Sequence, residues 1–358
     1  MSGNPLLLSE FITRYPIWGN WKVSYTDRTH LPDDKYVTLG TIAFECDEQR
    51  ARLSPVLPFV FQPAAEKEIK DQFPEQKGDK QKGDQEQALR ASKIIREQMA
   101  ESLMRTGLLR PELWLMQDHS VQTGFLEVLR SLSENPYLLL VVDTGALRRG
   151  IVSFLYRTLP EASIWTVVPV FVMMEVQHQI AELNREWRKI AQGTPQLGKC
   201  DVLEKRPQVS CTSRELNYIR RWRPVEIMTT RPELLSQSSE TDRLIIESVK
   251  NLKRERGLHR GVYLLTTDKD MASLAVLEGV NTLCVVAPPL PDVVSSVRYD
   301  SWRQIPLLSS VHYLLWDLTQ VFSTIQVQNQ ESNQTYTLNY YSEARGGFFA
   351  YDILEIQG

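Results

Sequence analysis

The sequence predicts an α/β fold, a parallel sheet sandwiched by helices, over residues 134–295. Short continuous apolar runs alternate there with longer stretches whose apolar residues have helical spacing. The run Tyr137–Val142 is apolar throughout, as expected of a strand that is buried on both faces. Acidic residues follow the ends of two such runs, at Asp143 and Asp268. Ligands of parallel sheets bind at these strand ends, so the same pattern also predicts a functional site.

The elements of this region follow one another in a regular order. Strands are predicted at Tyr137–Val142, Ser163–Val170, Val225–Met228, Val262–Thr266 and Asn281–Val286. Helices are predicted at Leu147–Leu159, Phe171–Ile190, Asp242–Arg256 and Met271–Glu278. The proline-rich run Pro288–Pro291 closes the region.

The flanking sequence has a different character, which predicts further segments. A β-rich N-terminal unit is followed by a linker rich in Lys, Glu, Gln and Asp, which we expect to be exposed and flexible. A helical segment comes next, with helices at 87–107 and at about 111–132, and a helix followed by β-prone runs forms a C-terminal extension. The predicted segments are 1–63, 64–90, 91–133, 134–295 and 296–358.

Composition excludes several classes of protein. At 42% hydrophobic and 24% charged residues, the chain has the composition of a globular protein. Its four cysteines are scattered without a Cys-x-x-Cys pair, which argues against a disulfide framework and a zinc knuckle. The apolar stretch Val167–Met174 is far too short to cross a membrane, and the N-terminus lacks a signal peptide. We therefore expect a cytoplasmic protein without a membrane partner.

Five carboxylates form the candidate site. Asp143, Asp268 and Asp270 directly follow strands, whereas Glu175 and Asp242 lie at the beginnings of helices. Converging carboxylates repel one another unless a cation neutralises them, and a ligand set of oxygen atoms alone suits Mg²⁺ or Mn²⁺. Such ions support hydrolysis of phosphodiester bonds. Taken singly, each acid has a structural alternative, as a turn residue or as a helix-start residue that favours the helix dipole.

Four segments resemble, in order, the acidic motifs of PIN-domain nucleases. They are VVDTGAL (141–147), MMEVQHQI (173–180), ETDRLIIESV (240–249) and LLTTDKDMA (264–272). The resemblance implies a PIN-like fold and a metal-dependent endoribonuclease with Asp143, Glu175, Asp242 and Asp268 as catalytic ligands. It further implies that Asp270 assists with the metal and that Thr266 supports the carboxylates. The sequence between Glu175 and Asp242 is longer than in compact toxin-type members, which indicates an insertion near 190–224.

Basic residues supply candidates for substrate binding. Residues 135–300 contain 22 Lys and Arg against 19 Asp and Glu, so an anionic substrate is compatible with the overall net charge of −3. Arg148 and Arg149 closely follow Asp143. A second cluster interleaves arginines with an aromatic residue, which suits phosphate contacts and base stacking; it consists of Arg220, Arg221, Trp222 and Arg223. The structural alternative is a solvated helix face.

The leading functional prediction is an RNA-cleaving enzyme that uses Mg²⁺ or Mn²⁺. RNA is favoured over DNA by the resemblance alone. One alternative is a catalytically silent PIN-like scaffold that binds RNA or a protein, and the complete acidic set argues against it. A second is a flap-endonuclease-type DNA nuclease, for which the sequence shows no helical arch. The sequence does not decide whether a protein partner acts through the terminal extensions, and it does not decide the oligomeric state.

Overall fold

A computed structural model describes most of the chain. The described residues are 5–6, 19–27, 37–46, 56–63, 81–117, 120–135, 137–159, 162–191, 199–222, 225–228, 241–256, 261–287, 294–298, 307–322, 324–343 and 351–357. The chain divides into two compact units. The first unit comprises residues 1–109, 183–210 and 289–358, and the second comprises residues 110–182 and 211–288. All five predicted carboxylates belong to the second unit.

The described strands and helices are numbered in chain order. The strands are β1 (Pro5–Leu6), β2 (Gly19–Asp27), β3 (Val37–Cys46), β4 (Val56–Pro63), β5 (Glu112–Gln117), β6 (Ser120–Thr123), β7 (Tyr137–Val142), β8 (Ser163–Pro169), β9 (Val225–Met228), β10 (Val262–Thr266), β11 (Thr282–Val286), β12 (Val294–Arg298), β13 (Thr324–Asn329), β14 (Thr335–Glu343) and β15 (Tyr351–Gln357). The helices are α1 (Gln81–Arg105), α2 (Phe125–Ser133), α3 (Thr144–Arg148), α4 (Ile151–Thr158), α5 (Val170–Ala191), α6 (Lys199–Trp222), α7 (Thr241–Glu255), α8 (Lys269–Leu277) and α9 (Leu307–Phe322).

A mostly parallel sheet is the centre of the second unit. Its strand order is β6-β5-β11-β10-β7-β8-β9. Neighbouring strands from β11 to β9 run parallel, and β5 and β6 are added antiparallel at one edge. The middle strands are buried, as their apolar sequences predict, and Leu140, Val141 and Leu264 have no exposed surface. The predicted α/β class with a parallel sheet is confirmed.

The predicted helix at 111–132 is wrong. This stretch forms β5 and β6, followed by the shorter helix α2. In β5 the partly exposed Trp114 separates the buried Leu113 and Leu115, and the strand pairs with β11. Gly124 then adopts φ 110°, a conformation that favours glycine, and α2 begins at the next residue. A short apolar run fits the repeat of a helix as well as that of a strand, and pairing with the distant strand β11 selects the strand.

The predicted helix at 147–159 is two helices. Helix α3 begins directly after Asp143, and α4 begins after Gly150. Gly150 has φ 66°, in the left-handed region, and this turn interrupts the helical path. The earlier start of α3 places its first turn beside the end of β7.

The first unit contains an antiparallel sheet of strand order β1-β15-β14-β13-β2-β3-β4-β12. Strands β2 and β13 pair directly, so both predicted β-rich terminal segments contribute to one sheet. Helix α1 begins at Gln81, which corrects the predicted linker for residues 81–90; residues 64–80 lie outside the described part. Straight-chain residues such as Gln, Glu and Lys are good helix formers, and they extend the helix beyond its apolar portion.

A buried ion pair joins α1 and α9 of this unit. The Arg105 guanidinium at the end of α1 donates from Nη2 to the Asp317 carboxylate of α9 at 2.8 Å and from Nε at 3.0 Å. Both side chains are buried, and Glu101 lies 3.5 Å from Arg105.

Within the described residues, no helix has the length and apolar character needed to cross a bilayer.

Candidate active site

Asp143 lies where β7 ends and α3 begins. Its side chain is buried, and its Oδ1 accepts a hydrogen bond from the backbone N–H of Ala146 at 2.6 Å. The residue is therefore the N-cap of α3, a role in which Asp is strongly preferred. The other carboxylate oxygen, Oδ2, accepts from the hydroxyl of Thr266 and from the backbone N–H of Thr267 at 3.4 Å.

Thr266 links two of the predicted acids. It is the last residue of β10, it is completely buried, and its Oγ1 donates to Asp143. The same Oγ1 accepts from the backbone N–H of Asp268 at 3.0 Å. Asp268 in turn caps α8, because its Oδ1 accepts from the N–H groups of Asp270 at 2.8 Å and Met271 at 3.1 Å. The two strand-end acids therefore meet around one threonine.

Glu175 reaches the same edge of the sheet from α5. The hydroxyl of Thr144, the residue after Asp143, donates to Glu175 Oε2 at 2.6 Å. Gln179, one turn further along α5, donates to Glu175 Oε1 at 3.0 Å. Both carboxylate oxygens are thus oriented by neighbouring side chains. Glu175 is linked to the vicinity of Asp143 because its hydrogen-bond partner Thr144 is the next residue in the sequence.

The environment of Asp143 disfavours its charged form. Burial raises the pKa of this carboxyl above its ordinary value of 3.8, and the hydrogen bonds from Thr266, Ala146 and Thr267 and the charge of Arg149 oppose that rise only in part. A buried carboxylate of this kind is stabilised by any further positive charge brought to it.

Two cations flank the acids. The Arg149 guanidinium donates to the carbonyl oxygen of Thr267 at 3.4 Å. The Lys269 ammonium lies 4.5 Å from the centroid of the Trp114 ring. Both cations act on Cys284, whose pKa is raised to about 11 mainly by burial and also by the charges of Asp143 and Asp268. The charges of Lys269 and Arg149 oppose that rise.

Close packing at Gly145 brings α3 against the loop after β10. A Cβ atom added to Gly145 would lie 2.2 Å from Thr267 Oγ1 and 3.6 Å from each carboxylate oxygen of Asp143. Any side chain at this position therefore collides with Thr267. Glycine lets the two capped helix starts approach each other.

Most of the remaining predicted site residues lie on α3, α6, α7 and α8. Asp242 is exposed in the first turn of α7, and Asp270 is exposed in the first turn of α8. Arg148 is half-buried on α3 and Arg220 is exposed on α6. Arg221 and Trp222 end α6, but their side chains lie outside the described part, as does all of Arg223. Within the described residues, no three His, Cys, Asp or Glu side chains form a group that could hold a metal ion.

Comparison with known families bears on the recognition of this fold. Residues 140–285 match the sequence model of the PIN domain. The predicted resemblance to PIN domains is confirmed. The PIN-like region begins within β7 and ends within β11, and it contains Asp143, Glu175, Asp242, Asp268 and Asp270. Its nuclease-like fold is thus supported by the sequence match and by the parallel sheet together.

Comparison with individual proteins adds little. One solved structure, described as a domain of a functionally unknown protein from Methanocaldococcus jannaschii DSM 2661, is 21% identical, with 43% of this chain and 95% of that chain covered. Its TM-score is 0.28, which is too low for any conclusion about this chain. No curated protein matched.

Several residues around the acids are not among the predicted site residues. Thr144, Gly145 and Thr267 lie inside the acidic motifs, and this position in the sequence is a signal that could have identified them. Lys269 lies inside the fourth motif, between Asp268 and Asp270. Trp114 lies outside these motifs, and the sequence pattern of its segment predicts a helix, so nothing in the sequence links it to the site.

Proposed function

We propose that the PIN-like region is a metal-dependent endoribonuclease that hydrolyses phosphodiester bonds. The observation that carries this proposal is the hydrogen-bonded contact between two strand ends, in which the buried Thr266 joins the buried Asp143 to the backbone of the exposed Asp268. Glu175 is brought to Asp143 through Thr144. Three of the four predicted catalytic acids are thereby linked at the edge where ligands of parallel sheets bind.

The chemistry of these donors fits a hard divalent cation. All are carboxylate oxygens, the ligands preferred by Mg²⁺ and Mn²⁺. Mg²⁺ usually keeps several waters and is held by one or two carboxylates together with substrate phosphates, so a complete protein cage is not required. Burial raises the pKa of Asp143, and a cation at this position would offset the cost of its charge. We propose Asp143, Glu175 and Asp268 as the residues that would hold the ion, with Asp242 and Asp270 as further ligands from their helix starts. Because the described side chains do not form a group of three, one or two of these carboxylates would contact the ion directly and the others through its waters.

Neighbouring residues orient the carboxylates through hydrogen bonds. Thr266 and the Ala146 N–H fix the orientation of Asp143, and Thr144 and Gln179 fix that of Glu175. Such fixed orientations lower the reorganisation needed when the substrate arrives. A bound divalent cation would supply an activated water and stabilise the charge of the displaced oxygen. Arg149, which contacts the Thr267 carbonyl oxygen, and Arg148 are proposed to bind the substrate at this edge. The cluster Arg220, Arg221, Trp222 and Arg223 is proposed to contact the strand further away.

RNA is the proposed substrate because PIN domains, which this region resembles, mostly cut RNA. A cytoplasmic location and a protein partner acting through the flanking segments are further parts of this proposal. One observation favours a second function, a silent scaffold: Asp143 and Asp268 both act as helix N-caps, and capping alone would account for their presence.

A cleavage assay with matched variants tests the proposal. Wild type should cleave labelled single-stranded RNA with Mn²⁺ and lose that activity in EDTA. Asp143→Asn keeps the side-chain size and the acceptor for the Ala146 N–H but removes the charge, so cleavage should fall by at least about a hundredfold. Asp201→Asn, which removes an acid from α6, is the control and should cleave like wild type.

The outcomes separate the two functions. Undiminished cleavage by Asp143→Asn would refute the proposed site. Failure of wild type to cleave RNA or DNA in Mn²⁺, with RNA binding intact, would favour the scaffold.

A further inference from the structure

Lys269 is held in place by an aromatic ring beside the candidate active site. Its ammonium lies 4.5 Å from the centroid of the Trp114 ring, within the range of a cation–π interaction. A lysine side chain is flexible, and this contact favours one position of the exposed ammonium. No ion pair joins Lys269 to a carboxylate within the described part of the chain. Its positive charge is therefore positioned but not neutralised.

The sheet register places Trp114, which contacts this cation, two strands away from Thr266. Thr266 of β10 is in register with Cys284 of β11, and Cys284 is in register with Trp114 of β5. Two strand spacings, roughly 10 Å, thus separate the Trp114 backbone from that of Thr266. Trp114 packs against a small apolar cluster of Met116, Ala272 and Cys284, which fixes the position of its ring.

The identity of the ligand follows from the charges on this edge. Lys269 is next in sequence to Asp268, and its ammonium is close enough to Cys284 to act on it alongside Asp143 and Asp268. A compact cation that is oriented and unneutralised beside such acids suits an oxyanion of the substrate rather than the acids themselves. The recurrent oxyanion of a nucleic-acid strand is the phosphodiester.

We propose that Lys269, positioned by Trp114, binds a backbone phosphate of a single-stranded nucleic acid next to the cleavage site. This inference rests on the proposed nuclease function and extends it to a subsite that includes β5, outside the region that matches PIN domains. Lys269 is the binding residue and Trp114 is a positioning residue. RNA and DNA share this backbone chemistry, so both are tested.

The experiment measures how binding depends on salt. Full-length protein in EDTA, which prevents cleavage, is titrated into labelled single-stranded RNA or DNA of one sequence at several salt concentrations. Each phosphate contact to a single strand contributes about 0.7 to the slope of log affinity against log salt. Lys269→Ala should therefore reduce the slope by about 0.7, so that the affinity ratio of wild type to variant falls about 2.6-fold between about 50 and 200 mM salt.

Matched variants separate charge, position and structure. Lys269→Arg keeps the charge and should retain the slope. Lys253→Ala removes the same charge near Gly279, at the far end of α8, and should behave like wild type. Trp114→Phe keeps a ring and should retain most of the slope, whereas Trp114→Leu should reduce it like Lys269→Ala. Circular dichroism identifies any Trp114 variant that fails to fold, and Lys269→Ala then decides alone.

The outcomes distinguish this inference from the function on which it rests. An unchanged slope for Lys269→Ala overturns the phosphate subsite, even where wild type cleaves and Asp143→Asn does not. A reduced slope without any cleavage supports the subsite and refutes the nuclease. Absence of binding by wild type to either strand overturns the subsite as well.

Discussion

Gly145→Ala tests the close approach between α3 and the loop after β10. The added Cβ would lie 2.2 Å from Thr267 Oγ1, far inside van der Waals contact. Relieving it requires rotation of the Thr267 side chain or a shift of the backbone. Forcing an extra carbon into such packing costs roughly 1–3 kcal/mol. Replacing glycine with alanine also restricts the unfolded chain, which stabilises by about 0.4–1 kcal/mol where the conformation is compatible.

A double-mutant cycle isolates the steric part of this effect. Thr267→Ala removes Oγ1, so Gly145→Ala in that background should no longer collide and should stabilise by about 0.4–1 kcal/mol. The coupling energy between positions 145 and 267 should then be about 1–3 kcal/mol, the cost of the collision itself. Thr267→Val is the control, because it keeps a branched side chain and should preserve the collision.

Urea unfolding followed by circular dichroism measures the free energies of all these variants. A coupling energy below about 0.5 kcal/mol would show that the two residues are independent. The reasoning would also fail if Gly145→Ala lowered stability equally in the Thr267→Ala background.

Three further predictions concern buried polar groups. The Glu215 carboxylate accepts from the Ser153 N–H at 2.6 Å, so Glu215→Ala should lower the free energy of unfolding by about 1–3 kcal/mol in urea titrations, and Glu215→Gln by less. Arg105→Met removes the guanidinium that lies between the buried Asp317 and Glu101 carboxylates, so it should lower the free energy of unfolding by about 3–5 kcal/mol in the same titrations; an unchanged stability would contradict this. Because the pKa of Cys284 is raised to about 11, a thiol reagent at pH 8 should modify it only after denaturation, and mass spectrometry of the native protein would reveal any early labelling.

The order of the acids and their strand ends could be predicted because both depend on local sequence. Tyr137–Val142 and Val262–Thr266 are continuous apolar runs, and the observed strands have those same bounds. Parallel pairing of β7 with β10 then places Asp143 and Asp268 at one edge without further information. The contact through Thr266 follows from this geometry, since that residue ends one of the two strands.

The surroundings of the acids depend on pairings that local sequence does not encode. Strand β5 pairs with β11, about 170 residues later, and the short run Glu112–Gln117 fits a helix or a strand equally well. Trp114 therefore could not be placed beside Lys269 in advance. Asp242 is predicted from its motif, and it lies exposed in the first turn of α7.

Asp143 should make the stability of the protein depend on pH in a direction opposite to that of an ordinary salt-bridged acid. Its pKa in the folded state lies above the ordinary value of 3.8, because burial disfavours its charge. Between these two values the folded state binds more protons than the unfolded state, so stability falls as the pH rises. The stabilising contribution is complete below pH 3.8 and is lost as the pH rises through the folded-state pKa.

Asp143→Asn removes this titration, and the comparison with wild type reveals it. In EDTA, the free energy of unfolding of the variant minus that of wild type should increase from acidic to neutral pH and then level off. Asp270→Asn removes the same charge from an exposed position and serves as the control for net charge. Urea titrations from pH 3 to pH 8 measure the difference, and a constant or falling difference would contradict the assigned burial cost.

If the proposed cation site is correct, Mn²⁺ at neutral pH should stabilise wild type and not Asp143→Asn, because the ion binds the folded arrangement and offsets the charge that burial disfavours. The same residue would then limit stability without metal and enable chemistry with it.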